Sequence, residues 1–157
     1  MIQISVLGSE NVSSKALKLA EDVGKEIAKH NAVLICGGRG GVMEAAARGS
    51  KEAGGTTVAI LPSLDKEEAN DYIDICIPTS FGYGRNILVA SAADVVIAID
   101  GNYGTLSEVA FALNYERPVI VLEGSGGTAD FMKDCMFETH KAKTPKQAVE
   151  MAIKLSK

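Results

Sequence analysis

Six short apolar runs punctuate the chain: Gln3–Leu7, Ala32–Ile35, Thr57–Leu61, Ile73–Ile77, Val95–Ile99 and Val119–Leu122. They are rich in β-branched residues, and several are apolar throughout rather than alternating. Strands covered on both faces have this pattern. The intervening stretches carry helical signals. Ser13 or Ser14 caps a helix running to about Lys29, with Leu17, Ala20, Val23, Gly24, Ile27 and Ala28 on one face. Val42–Glu52 is a second helix, stopped by Gly54-Gly55. A short third is expected near Lys66–Asn70, a fourth over Gly84–Ala93, and a fifth over Thr105–Asn114 that has ended by Pro118. Thr144-Pro145 starts the last, with Thr as N-cap and Pro at the first helical position, and it runs to about Leu155. Gly124–Gly127 reads as a loop without evident chemistry, leading to a partly irregular segment, Ala129–His140.

Alternating strands and helices give a mainly parallel sheet with crossover helices on both faces. The expected architecture is a Rossmann-like, three-layer α/β/α fold with six or seven strands. With 157 residues and 46% apolar content, it forms one nucleotide-binding domain over 1–157.

Two glycine-rich turns stand out, each after an apolar run and ahead of a helix. The first is Cys36-Gly37-Gly38-Arg39-Gly40-Gly41-Val42-Met43-Glu44, and the second is Asp100-Gly101-Asn102-Tyr103-Gly104-Thr105-Leu106-Ser107-Glu108. Such turns offer free N–H groups to an anion, and the helix dipole adds about half a positive charge there. The first is not a Walker loop, because Val42-Met43 follows Gly41 where Lys-Ser/Thr is required. It is not a dinucleotide fingerprint either, because Met43 stands where a small residue is needed and no acid follows Leu61-Pro62. A backbone nest for one phosphate remains. Gly37, Gly38, Arg39, Gly40 and Gly41 are therefore candidate phosphate ligands, with Gly101, Asn102, Tyr103, Gly104 and Thr105 facing them from the second turn.

Thr105 is placed to cap or begin its helix. Glu108 has two readings on spacing alone: the carboxylate of a Thr-x-x-Glu capping box, or a catalytic group. Arg85 and Asn86 follow the fourth apolar run and so emerge at the same sheet edge, where Arg85 can fork a phosphate. The rival reading of Arg85 is a solvated residue at a helix start. Gly8-Ser9 ends the first strand at that edge and forms part of the pocket wall. Cys36 reads as a small buried side chain rather than a nucleophile.

Charge and composition narrow the classes. A net charge of −4 without a basic run argues against a nucleic-acid partner. No apolar stretch reaches the ~20 residues needed to cross a bilayer, and the N-terminal segment reads as a strand rather than a signal peptide. Three cysteines without Cys-x-x-Cys fit a reduced, cytoplasmic protein. His30 and His140 lie in polar contexts without metal spacing, so neither a metal nor a cofactor is called for.

The paired motifs resemble those of the LOG proteins, cytokinin-activating phosphoribohydrolases often labelled lysine decarboxylases. Gly37, Gly38, Gly41 and Met43 match the family's first signature, and Gly101, Gly104, Thr105 and Glu108 its second. The resemblance implies a Rossmann-like fold and a homodimer or higher homo-oligomer. It also implies cleavage of the N-glycosidic bond of a nucleoside 5′-monophosphate, with Arg85 and Glu108 as catalytic residues. A carboxylate suits that chemistry because it stabilises an oxocarbenium-like transition state. The chain departs from the pattern at Glu44, Asn86, Asp100 and Asn102; Glu44 and Asp100 add negative charge near the expected phosphate site, and Asn86 removes a positive one. In this it looks closer to a shorter branch that includes proteins similar to the molybdenum-cofactor carrier. Two expectations follow: a LOG-like hydrolase, or a non-catalytic carrier or sensor of a phosphorylated nucleotide or pterin. Lysine decarboxylation is excluded, since neither motif holds a Lys for pyridoxal phosphate. The expected dimer contact is the Ser91-Ala92-Ala93 helix with the apolar Val109–Leu113 face.

Overall fold

The computed structural model describes residues 1–135 and 137–157. Position 136, inside the segment expected to be irregular, lies outside the described residues. Seven strands form one sheet: β1 (Gln3–Leu7), β2 (Val33–Cys36), β3 (Thr56–Leu61), β4 (Ile75–Pro78), β5 (Val95–Ala98), β6 (Val119–Leu122) and β7 (His140–Ala142). Their order is β4-β3-β2-β1-β5-β6-β7, and every neighbouring pair is parallel. Among the described residues the six α-helices are α1 (Ser14–Lys29), α2 (Val42–Glu52), α3 (Asn86–Ser91), α4 (Tyr103–Asn114), α5 (Gly127–Lys133) and α6 (Pro145–Leu155).

The three layers follow from the strands' two-sided burial. In β5 and β6, Val95, Ile97, Ile120 and Leu122 face the core under α1, α2 and α6. Val96, Ala98, Val119 and Val121 face the second core, under α3, α4 and α5. Period-two alternation with apolar residues at every position fills both faces. This is the expected Rossmann-like architecture.

Several local expectations are corrected. Lys66–Glu68 is only a 3-10 turn, capped by Asp65. The fourth helix is preceded by a 3-10 turn over Gly82–Arg85, and its α-helical part begins at Asn86. β4 starts later than expected because Asp74 closes the ladder: its carboxylate accepts from the Thr57 N–H at 2.9 Å, and its own N–H donates to the Thr57 carbonyl at 3.2 Å. The loop-like segment beyond Gly126 contains α5 and β7. On α4, Val109 and Ala112 of the expected dimer face are buried in the chain's own core, as is Ala93. The outward face of α4 carries Leu106 and Ala110 instead.

β1 is the switch point of the sheet. The chain builds outward from it through β2, β3 and β4, then returns to its other side with β5. Loops after β1, β2 and β5 therefore meet over one crevice. Two glycines hold the helical layer close enough for this. A side chain at Gly24 of α1 would strike the Ala46 carbonyl, and one at Gly49 of α2 would strike the Glu21 carbonyl. Alanine has the better helix propensity, by up to about 1 kcal/mol. Overpacking outweighs that gain here, so Gly24→Ala and Gly49→Ala are each expected to destabilise by about 1–3 kcal/mol in urea unfolding. Wild-type stability in both variants would contradict the backbone-to-backbone crossing.

Candidate functional site

The first glycine turn is shaped by what approaches it. Gly41 has φ 63°, and a side chain there would collide with the Ser9 carbonyl and the Glu10 backbone. A side chain at Gly8 would strike Val42. These absences let the loop after β1 lie across the start of α2, where the Val42 N–H donates to the Ser9 carbonyl at 3.1 Å. Gly38 (φ 79°) packs on Ala59 and Leu61, and its carbonyl accepts from the backbone N–H of Asn70 at 2.8 Å and its side-chain amide at 3.1 Å.

The second turn is tied to the same loop. The Asn102 N–H donates to Ser9 Oγ at 2.8 Å, so Ser9 bridges both turns. Asp100 takes a left-handed conformation (φ 51°), and its carboxylate accepts from the Gly101 N–H at 2.7 Å. It packs beneath Gly126 and Gly127, outside the cleft, so its charge is spent on the turn itself. Sequence reasoning missed the buttress behind this turn. Ser125 Oγ accepts from the Asp100 N–H at 2.9 Å, and Thr128 donates its N–H to the Gly101 carbonyl at 2.9 Å and its hydroxyl to the Asn102 carbonyl at 3.0 Å. The glycine cluster Gly124–Gly127 is thus the support of the site.

α4 begins at Tyr103, with Asn102 as its N-cap residue, which corrects the capping assignment of Thr105. Thr105 lies buried in the first turn against Gly101. The capping-box reading of Glu108 also fails. Among the described residues its carboxylate makes no hydrogen bond to the backbone; it is 7% exposed and faces the cleft.

The turns converge. One cleft of about 300 Å³ is lined by Gly8, Ser9 and Arg39 from the β1 and β2 loops and by Gly104, Thr105 and Glu108 from α4. Arg85 and Asn86 line it as well, as do Glu10, Met43 and Tyr83, which sequence reasoning had not placed there. Gly37, Gly38, Gly40, Gly41 and Gly101 shape the backbone around the cleft, while Asn102 and Tyr103 border an adjoining one. Helix starts leave their first N–H groups without intrahelical partners, so α2 and α4 both bring donors to this crevice.

Arg85 is not the solvated residue of the rival reading. It is 9% exposed, and its Nη1 donates to the Ile60 carbonyl at 2.9 Å. Its guanidinium lies against Gly37, where a side chain would displace it, and Nε has no protein partner. Burial lowers its pKa, while Glu108 partly offsets the shift. Arg39 is held at the mouth by Glu10, with Nε 3.0 Å from the carboxylate. That pair is about half exposed and readily exchanged for a bound anion. Cys36 is buried, and burial pushes its thiol up to about 12, so it is no nucleophile at neutral pH.

A family model described as the SLOG cluster4 family (LDcluster4) matches residues 1–154. The chain belongs to that family. Within this frame it is similar to the molybdenum cofactor binding protein of Rippkaea orientalis. The two share 36% identity and a TM-score of 0.91, over 99% of this chain and 98% of that one. It is similar too to the molybdenum cofactor carrier protein of Chlamydomonas reinhardtii, at 36% identity and a TM-score of 0.87, again over 99% and 98%. A cytokinin riboside 5′-monophosphate phosphoribohydrolase of Mycobacterium tuberculosis is 27% identical over 122 residues, which are 72% of this chain and 65% of that protein. This SLOG chain therefore has a Rossmann-like nucleotide-binding fold closely related to the molybdenum-cofactor carriers. Among the described residues, no helix is long and apolar enough to cross a membrane.

The carboxyl of Glu108 is the electrostatic signature of the site. Burial pushes it up to about 8, with Arg85 pulling in the opposite direction. The folded protein keeps this proton to about pH 8, whereas the unfolded chain releases it near 4.5. Between those values the native state binds the extra proton, so a rise in pH favours unfolding. The stabilisation is fully present below about pH 4.5 and is lost by about pH 8, at up to about 1.4 kcal/mol per pH unit. Glu108→Gln should remove this slope. The stability difference between wild type and variant, followed by urea unfolding from pH 5 to 8, is expected to shift steadily in the variant's favour. A difference that stays constant with pH would place Glu108 in water rather than in a buried wall.

Proposed function

We propose that this protein binds a phosphorylated nucleotide or pterin and holds it without turning it over. The observation that carries this reading is the convergence of the two helix starts and Arg85 over a buried Glu108 that keeps its proton at neutral pH. The N–H groups of Gly104 and Thr105, the first turn of α2, Arg85 and Arg39 are assigned to the phosphate. Ser9 and Asn102 fix the distance between the two turns. A neutral carboxyl beside the phosphate does not repel it, and it donates a hydrogen bond where a carboxylate only accepts. In that form it neither stabilises an oxocarbenium ion nor activates water, so of the roles that glycosidic cleavage needs it keeps only that of a general acid toward the leaving base. The likeness to proteins described as binding or carrying the molybdenum cofactor supports the carrier reading.

Phosphoribohydrolase activity is the second reading. The observation favouring it is that Arg85 and Glu108, the catalytic residues implied by the LOG resemblance, line one cleft. If Glu108 acts in its charged form, turnover should rise through about pH 8. Incubation with AMP, GMP, CMP and UMP separates the two. The carrier reading expects saturable binding with no free base or ribose 5-phosphate across that pH range. Release of base that is abolished by Glu108→Gln would replace it with the hydrolase.

The same reading includes a cytoplasmic homodimer or higher homo-oligomer. The outward face of α4 supports it: Leu106, Ala110 and Leu113 border an apolar groove of about 480 Å³ with Phe131 and Phe137. Leu106→Glu is expected to lower the mass seen in light scattering to that of one chain, and a wild type already of that mass would count against the assembly.

A further inference from the structure

Two sulfur atoms sit at the first glycine turn, and the fold separates their chemistry. Cys36 is wholly buried. Its thiol donates to the Met43 carbonyl at 3.9 Å, and its sulfur accepts from the Gly38 N–H at 3.3 Å. Burial keeps it protonated, so it has no thiolate to offer an oxidant. Met43 stands in the first turn of α2 and lines the phosphate cleft. Among the described residues it brings the only sulfur to that lining. A thioether needs no deprotonation to react, because a lone pair on Sδ attacks a peroxide directly.

The surroundings of Met43 give its oxidation a consequence. Gly37 has no side chain, and the space above it is filled from two directions. A Cβ there would strike both Met43 Sδ and Arg85 Nη1. The thioether and the guanidinium therefore pack over the same backbone atom. Arg85 is nine-tenths buried, and its Nε has no protein partner among the described residues. Glu108, which keeps its proton at neutral pH, lines the same wall. A thioether is a weak acceptor, so these donors stay available to an incoming anion. A sulfoxide is polar and accepts through its oxygen. The donors that the cleft presents to a phosphate are those that a sulfoxide at Met43 would take.

We propose that Met43 is an oxidation site that switches the phosphate cleft off. Hydrogen peroxide transfers one oxygen atom to Sδ: the sulfur lone pair forms the S–O bond, the O–O bond breaks, and water leaves. The thioether is oxidised by two electrons and the peroxide is reduced by two. The sulfoxide oxygen accepts from the Arg85 guanidinium and the Glu108 acid, and it becomes an internal occupant of a cleft of only about 300 Å³. A thiol-dependent methionine sulfoxide reductase reverses the step, the oxygen leaving as water while two thiols of the reductant join in a disulfide. The proposal rests on the phosphate assignment above and adds control of that site by redox state.

The test adds hydrogen peroxide to the ligand-free protein. Peptide mass spectrometry locates the oxidised methionines, and calorimetry measures affinity for inorganic phosphate before and after. Met1, 91% exposed, is the freely accessible reference, and Met132, 2% exposed, the buried one. Met43 is expected to take up one oxygen ahead of Met132, and phosphate affinity to fall by about tenfold or more. Reductases for both sulfoxide epimers, with dithiothreitol, are expected to restore it. In Met43→Leu, a volume-conserving exchange, peroxide is expected to leave the affinity where it was before treatment. Oxidation of Met43 with unchanged affinity, a Met43 still reduced when Met132 is oxidised, or an equal loss in Met43→Leu would overturn the switch and leave the phosphate site standing. The reductase arm decides independently of that variant: affinity that stays low once Met43 is reduced again would also overturn it. So would a loss of binding accompanied by loss of the cooperative urea transition, which marks unfolding rather than an occupied cleft. An untreated wild type that fails to bind phosphate would overturn the phosphate assignment itself, and the switch with it.

Discussion

Ser9 reaches across 93 residues of sequence to accept from the Asn102 N–H through its hydroxyl, and it accepts from the Val42 N–H through its carbonyl. That double contact requires backbone to lie on backbone. It is possible because Gly8 and Gly41 present no side chain where the loop after β1 crosses the start of α2. A Cβ at either position would push the β1 loop outward and separate the two turns. The rest of the site depends on this close approach. With the turns held together, two helix N-termini share one crevice at the sheet's switch point, and their dipoles act on the same volume.

A positive cradle built over a buried carboxyl looks contradictory until protonation is considered. Burial suppresses the charge on Glu108, while Arg85, also buried, keeps its charge with help from the Ile60 carbonyl. The net field in the cleft is therefore set by the helix starts and two arginines, one anchored and one tethered to Glu10 at the mouth. Asp100, which in sequence adds a charge beside the glycine turn, is turned away and bound to the turn's own amide. The arrangement suits anion retention better than it suits stabilising a developing cation.

Much of this was legible in the sequence, for physical reasons that differ by element. β1, β5 and β6 were readable because both faces are buried, which leaves continuous β-branched runs. α6 was readable because Thr144 and Pro145 make an unambiguous start, and Thr144 does cap the Gln147 N–H. β7 was hidden because its His140 and Lys141 are exposed at the sheet edge, so only pairing with β6 defines it. α5 was masked by the paired glycines at its start, both with positive φ. At the site, the glycine turns and Arg85 could be placed from strand ends alone. The roles of Ser125 and Thr128 could not, because they reach the second turn only through the parallel pairing of β5 with β6. The charge state of Glu108 depends on three-dimensional burial and leaves no trace in its neighbours along the chain.

The central claim is that the two glycine turns act on one anion. Amide chemical-shift mapping by NMR, with inorganic phosphate added to the uniformly ¹⁵N-labelled protein, tests it directly. The account predicts that the amides of residues 40–44 and 103–105 shift together along one saturation curve. Perturbation of one turn alone, or different midpoints for the two, would contradict it.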